Sequence, residues 1–379
     1  MRLTDICDFQ GGSQPPKDEW LFEKQEGYIR MLQIRDFTQS EKVVPEYVKI
    51  SKSTKICQAD DILIARYGAS IGKILTGLSG AYNVAIMRAI PDTHMLQKKY
   101  LYYYLKSPYF QTAILNVGSR AAQAGFNKED LSKLEIKCPL LSEQDSIIDI
   151  LQKVESIIGK IKKELIFLDE LVKARFVEMF GDPVTNPMGW EFVTIREVVT
   201  EVRYGTSKPA VENGKYPYLR MNNLTVDGRL DLNDLKYIDI PKDEVEKCIV
   251  RKGDILFNRT NSIELVGKTA VFDLADDMVI AGYIIRVRLN EKILPEVLAQ
   301  YMNLEVLKNI FRSMAKGAVN QANINAQELQ NVKVYIPDMK LQKQFIEVKN
   351  QIDKSKVAIK KSLDETQILF DSLMQKYFG

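Results

Sequence analysis

The sequence of 379 residues has one histidine, His94, and four cysteines, Cys7, Cys57, Cys138 and Cys248, with no CxxC pair among them. Thiols scattered in this way indicate neither a zinc site nor a disulfide framework, and they fit a reducing cytoplasm. His94 follows Pro91-Asp92-Thr93 and reads as a solvated loop residue rather than a catalytic base. No stretch approaches the roughly 20 apolar residues of a membrane span. The start, Met1-Arg2-Leu3-Thr4-Asp5, lacks the apolar run of a signal peptide, so a cytoplasmic location is expected. An excess of charge of one sign is also missing, since 53 Lys and Arg against 50 Asp and Glu leave +3. No overall basic field announces nucleic acid, but local patches matter more than totals.

Catalytic motifs are missing too. Gly68-Ala69-Ser70-Ile71-Gly72-Lys73 is one residue short of a phosphate-cradling loop and has no Ser or Thr after Lys. Gly267-Lys268-Thr269 has that ending without the upstream Gly. Asn186-Pro187-Met188-Gly189 lacks the aromatic of an Asn-Pro-Pro-Tyr type methyltransferase motif. Pro337-Asp338-Met339-Lys340 reads better as a helix start than as part of a nuclease site. These absences favour a binding protein over an enzyme, with no cofactor or metal of its own.

What is present is a repeat built on a long helix. Ile147, Leu151, Val154, Ile158, Ile161, Leu165, Leu168, Val172 and Met179 alternate at spacings of four and three, interrupted only by Arg175. That is the register of a coiled-coil seam. Gly181 and Pro183 mark its end. A shift of 198 residues gives a second copy, with Phe345, Ile352, Ile359, Leu363, Phe370, Leu373 and Tyr377 in the seam and Lys349, Lys356 and Thr366 at its polar positions. Upstream, Gln144 aligns with Gln342, Gln123 to Asn127 with Gln321 to Asn325, and Asp61 to Arg66 with Asp254 to Arg259. Tyr28 to Met31 matches Tyr218 to Met221.

The plan is therefore a head at 1–141, a helix at 142–181, a second head at 182–339 and a second helix at 340–379. Each head reads as α+β. Strands are expected over 61–65, 82–90, 254–257 and 279–289, and helices over 100–115 and 295–314. Antiparallel pairing of the two seams gives a pseudo-twofold molecule, with the helices as a ruler between two similar heads. Such a ruler suits a target with two separated sites, of which duplex DNA is the commonest.

Arg, Lys, Asn and Gln read base edges, and Lys and Arg neutralise phosphates. The candidates in the first head are Arg30, Arg35, Arg66, Lys73, Arg120, Gln123 and Asn127. Those in the second are Arg220, Asn222, Asn223, Arg259, Asn261, Lys268, Asn320, Gln321 and Asn323. Each alone also reads as a solvated or salt-bridged residue, as an Arg after a strand usually is. Positions where the copies differ, such as 220–223 and 260–265, are better placed for readout specific to one head. Tyr102, Tyr103 and Tyr104 read as helix packing.

This plan, with Gly-Asp-Pro-Val-Thr-Asn-Pro-Met-Gly-Trp at 181–190 between the halves, resembles the specificity subunit of type I restriction–modification systems. The Asp-Ile-Leu-x-x-Arg strand ends and Pro-Leu-Leu-Ser-Glu-Gln at 139–144 carry the same likeness. The resemblance implies two target-recognition domains reading a bipartite double-stranded DNA site. It implies helices that set the spacer and dock two modification subunits, which carry S-adenosylmethionine and methylate adenine. Restriction subunits with ATP and Mg would join that core. The first head lacks the Gly-Trp lead-in found at 189–190, which implies a trimmed first strand. The more polar second seam implies help from partner subunits. A coiled-coil scaffold with protein-binding heads is the alternative.

Overall fold

The computed structural model describes residues 1–39, 43–118, 125–318 and 321–379. The chain forms two compact units, one of Met1–Ile161 with Lys361–Gly379 and one of Lys162–Lys360. The long helices run over Leu141–Phe180 and Met339–Phe378, 40 residues each. Among the described residues no helix is long and apolar enough to cross a membrane. Gly181 ends the first helix with φ +82°, a left-handed conformation that suits glycine.

Each helix contributes one half to each unit. In unit 1, Ile148 and Leu151 near the start of the first helix pack with Met374 and Phe378 near the end of the second. In unit 2, Phe176 and Phe180 near the end of the first pack on Phe345 near the start of the second. The helices are therefore antiparallel within each unit, as the seams predict. Leu151, Val154 and Ile158 are buried, while Ile147, Ile161, Leu165, Leu168, Ile352, Ile359, Leu363 and Phe370 are half-buried.

The seam changes course in the last turns. Phe176 and Phe180 are fully buried, whereas Met179 is half-buried and Arg175 pairs with Glu178 at the surface. Met374 and Phe378 take the matching places in the second helix. There the helix faces the core of a head as well as its partner helix, so the buried stripe follows i, i+4 spacing. The polar seam positions find partners within the chain. Lys356 is 4% exposed, with its ammonium on Asp169 of the first helix. Arg229 of the head reaches Asp169 at 3.3 Å and Asp353 at 3.4 Å.

The heads share a topology. Unit 1 has an antiparallel sheet in the order Cys7–Gly11, Ile86–Pro91, Ile62–Ala65, Ile74–Leu75. Its second sheet runs Glu46–Lys49, Tyr28–Leu32, Gly80–Tyr82, Ile56–Cys57, with the central pair parallel. Unit 2 repeats both orders, with Val199–Tyr204, Ile284–Leu289, Ile255–Asn258, Thr269–Val271 and with Lys236–Ile238, Tyr216–Leu219, Met278–Ile280, Ile249–Val250. The expected strands at 82–90 and 279–289 are therefore each two strands, in different sheets. Both parts are buried, so the apolar run continues across the crossing and hides it. The expected helices also divide, into Lys98–Lys106 and Pro108–Gly118 and into Pro295–Met302 and Glu305–Met314. In unit 2, Glu191–Thr194 pairs with Lys333–Ile336 over four residues. Among the described residues the matching place in unit 1 holds a bridge between Arg2 and Glu135 rather than a four-residue ladder.

The duplicated glutamines are architectural. Gln144 and Gln342 are both fully buried. Gln144 accepts from the Gln97 amide at 2.9 Å and donates to the carbonyls of Met95 and Pro139. Gln342 accepts from the Leu294 amide at 2.8 Å and donates to the carbonyls of Lys292 and Pro337.

Lys308 is a buried cation in unit 2, 8% exposed. Burial first, then Arg312, pushes it down to about 7, against the pull of Glu305. Above that pH the folded chain binds fewer protons at this site than the unfolded chain. Its contribution to stability therefore rises with pH from about 7 toward the ordinary lysine range, by at most about 1.4 kcal/mol per pH unit. Cys7 and Cys57, pushed up by burial to about 12 and 11, oppose it once unfolded thiols ionise near pH 8.5. Urea melts between about pH 7 and 8.5 are expected to show the rise. Lys308→Gln is expected to flatten it, and an unchanged slope would count against the assignment.

Candidate nucleic-acid interface

The two Arg residues that follow the Asp-Ile-Leu strands organise equivalent loops. The Arg66 amide donates to the Ala85 carbonyl at 2.8 Å. Its guanidinium donates to the carbonyls of Val84 and Phe126, both at 3.3 Å, and lies over Tyr67. The Arg259 amide donates to the Tyr283 carbonyl at 3.0 Å. Its guanidinium donates to the Gly282 carbonyl at 3.5 Å and Asn323 Oδ1 at 2.8 Å, over the Tyr204 ring. In each head the arginine joins the crossing between the split strands to the Ala/Gly-rich segment before the last short helix. Gly125 belongs to this junction, since a Cβ there would lie 2.3 Å from the Tyr67 ring. Asn127 caps the helix Lys128–Leu131 by accepting from the Asp130 amide at 3.0 Å.

The remaining candidates differ in what they can offer DNA. Arg30 pairs with buried Asp36 at 2.7 Å, and Arg35 pairs with Glu46. Arg220 pairs with Asp234 at 2.6 Å. Arg220 and then Lys236 hold the Asp234 carboxyl below its ordinary range. Lys73 and Asn222 are exposed, as is Gln321 on the strand Gln321–Asn323. Asn261 is half-buried and donates to Asn258 Oδ1 at 2.8 Å. Arg120, Gln123 and Asn320 lie outside the described residues.

Two candidates, Asn223 and Lys268, are buried and engaged with the backbone. Asn223 is 2% exposed, accepting from the Arg220 amide at 2.8 Å and donating to the Asp231 carbonyl. Lys268 is 7% exposed and donates to the carbonyls of Met221 and Leu224. The repeat alignment here is also corrected. Leu32 pairs with Tyr82, and Leu219 pairs with Ile280. Gln33 and Asp36 therefore match Arg220 and Asn223, and the Gln33 amide donates to Asp36 at 2.9 Å in the same turn. A likeness of side chains three residues away had suggested Arg30 for Arg220.

Sequence reasoning missed three exposed tyrosines in unit 2, Tyr204, Tyr237 and Tyr283, at 44%, 43% and 50% exposure. Tyr103 and Tyr104 are buried, as helix packing requires. His94 is exposed in a turn. Among the described residues no group of three or more His, Cys, Asp or Glu could hold a metal ion.

Two segments, 1–166 and 187–367, match the family described as "Type I restriction modification DNA specificity domain". The chain belongs to this family. Each matched segment takes in one head and most of the helix that follows it. The specificity subunit of EcoKI from Escherichia coli K12 is 21% identical over 356 residues, covering 87% of this chain and 76% of that protein. A provisionally named MjaX specificity subunit from Methanocaldococcus jannaschii is 30% identical over 196 residues. That match spans 51% of this chain and less than half, 46%, of the relative. One solved chain, from a study of complex assembly and conformational transition of the type I R-M system, covers 100% of this chain and 96% of its own length. Its TM-score is 0.59 at 17% identity, a likeness of fold.

Proposed function

We propose that this chain supplies the DNA-sequence specificity of a type I restriction–modification complex and carries none of its chemistry. Each head reads one half of a bipartite site, and two modification subunits dock on the chain. Those subunits bring S-adenosylmethionine and methylate adenine. Restriction subunits bring ATP hydrolysis, Mg and cleavage. The observation that carries this reading is the same sheet-built head, with the same arginine-organised loop junction, occurring twice, each time packed on antiparallel portions of the two long helices. The long helices add support. They leave Ile157, Ile166, Phe167, Val357 and Ile368 between 47% and 72% exposed, large apolar side chains suited to cover by partner subunits. Arg259, Asn222, Gln321 and the exposed tyrosines are the favoured readers in unit 2. Lys73 is favoured in unit 1.

The test is to express the chain with a modification subunit and map methylated adenines. A bipartite motif that disappears without this chain is expected. Methylation indifferent to the chain would favour a scaffold with protein-binding heads. Adding or removing a few residues near Gly159, where a side chain would meet open space, is expected to change the recognised spacer and leave both half-sites intact. An unchanged spacer would mean that the heads fix the distance.

A further inference from the structure

Unit 2 has an open cleft of about 760 Å³ between its head and its portions of the long helices. Seven lysines and arginines and eight carboxylates line it, and most of the cations are paired. Lys356 and Arg229 sit on Asp169, Lys173 on Glu170, and Arg312 on Glu305. Lys268 and Lys308 do not join this pairing. They are 7% and 8% exposed, and among the described residues neither forms an ion pair with a carboxylate. Lys308 Nζ donates to the Gly267 carbonyl at 2.8 Å. Lys268 Nζ donates to the carbonyls of Met221, at 2.8 Å, and Leu224. An ammonium has three donors, so both lysines keep hydrogens to spare. Burying ammonium groups without counter-charge is costly, and here two line one cleft.

The fold does not require the charge at 308. In unit 1 the matching place belongs to Gln111, whose amide donates to the Gly72 carbonyl at 2.9 Å as Lys308 does to Gly267. A neutral side chain meets the same architectural need. Asn303 also lines the cleft. Its amide donates to the Thr269 carbonyl at 2.7 Å, while its Oδ1 is buried with no hydrogen-bond partner. The cleft thus offers two buried ammonium groups with spare donors and one unused acceptor, among apolar walls such as Val172 and Val266 and with exposed carboxylates such as Asp273 and Glu305 elsewhere on its lining.

We propose that this cleft binds a small hydroxylated oxyanion. Its phosphate or carboxylate group takes the counter-ion place between Lys308 and Lys268, and its hydroxyl donates to Asn303. The volume is within the range of small-molecule sites. Residues of the head and of the long helices line it together, so the ligand would brace unit 2.

The test uses the full chain without DNA or partner subunits, so its failure leaves the DNA-specificity reading standing. Thermal melts and calorimetry are run with inorganic phosphate and with citrate, against chloride at matched ionic strength. A saturable rise in Tm is expected with at least one probe. Phosphate alone acting assigns a phosphate ligand, and citrate alone a carboxylate. Lys308→Gln, the side chain found in unit 1, is expected to weaken binding by about ten- to a hundredfold, the worth of a charged hydrogen bond. A cooperative melt of that variant without ligand shows that it still folds. No saturable shift with either probe, or unchanged binding in Lys308→Gln, overturns the proposal.

Discussion

Exchanging residues 182–339 for the corresponding head of another family member is expected to replace one half of the methylated site and leave the other half unchanged. The effect should be close to complete. A mismatch costs about 1–3 kcal/mol, so a half-site of about three bases gives a preference of about a hundredfold or far more. The exchange is physically sound because the second head has its own cores. One is built on Leu219, Leu256, Phe272 and Ile280, and another on Ile238, Ile249 and Val279. The incoming head must restore the contacts made at the helix end. Trp190 Nε1 donates to the Phe180 carbonyl at 2.8 Å, and the Tyr335 hydroxyl donates to the Gly181 carbonyl at 2.9 Å. Sequencing of methylated adenines reads the result. A motif unaltered by the exchange would mean that recognition lies outside this head.

Phe176→Ala is expected to destabilise unit 2 by about 3–5 kcal/mol, the usual cost of removing a buried phenylalanine. Phe176 is fully buried, with ring centroids at 4.8 Å from Phe180, 5.3 Å from Phe345 and 6.2 Å from Tyr301. It joins both helices to the head, and its neighbours are too tightly engaged to fill the space. Tyr301 is itself held edge-on against Tyr335 at 4.9 Å. Arg175→Ala, one residue away, removes only an exposed ion pair with Glu178, and its effect is expected within about 0.5 kcal/mol. Urea unfolding of the two variants compares them directly. A loss below about 1 kcal/mol for Phe176→Ala would show that this cluster does not hold the helices to the head.

The long helices and the duplication were legible because they rest on period and order. A seam of alternating four- and three-residue steps survives many substitutions, and so does the spacing of Gln144 and Gln342. The crossing at 83–85 and 281–283 was hidden, since strands buried on both faces show no alternation to break. The equivalence of Arg220 was misjudged for a related reason. Side-chain likeness favoured Arg30, while the pairing of Leu32 with Tyr82 and of Leu219 with Ile280 places Gln33 there. Register belongs to hydrogen bonds between strands distant in sequence.

The sequence by itself therefore determined the helices, their antiparallel pairing and the existence of two like heads, because a seam period and an order of motifs that recurs after 198 residues are both read directly along the chain. Only the tertiary structure decided which polar side chains remain free to act. Lys73 and Lys268 follow equivalent glycines, yet one faces solvent and the other is buried on backbone carbonyls. Gln111 and Lys308 make the same bond to a glycine carbonyl, and only Lys308 brings an unpaired charge to a cleft. Exposure and the company a charge keeps are set here by segments about forty to fifty residues apart along the chain, and no local pattern encodes them.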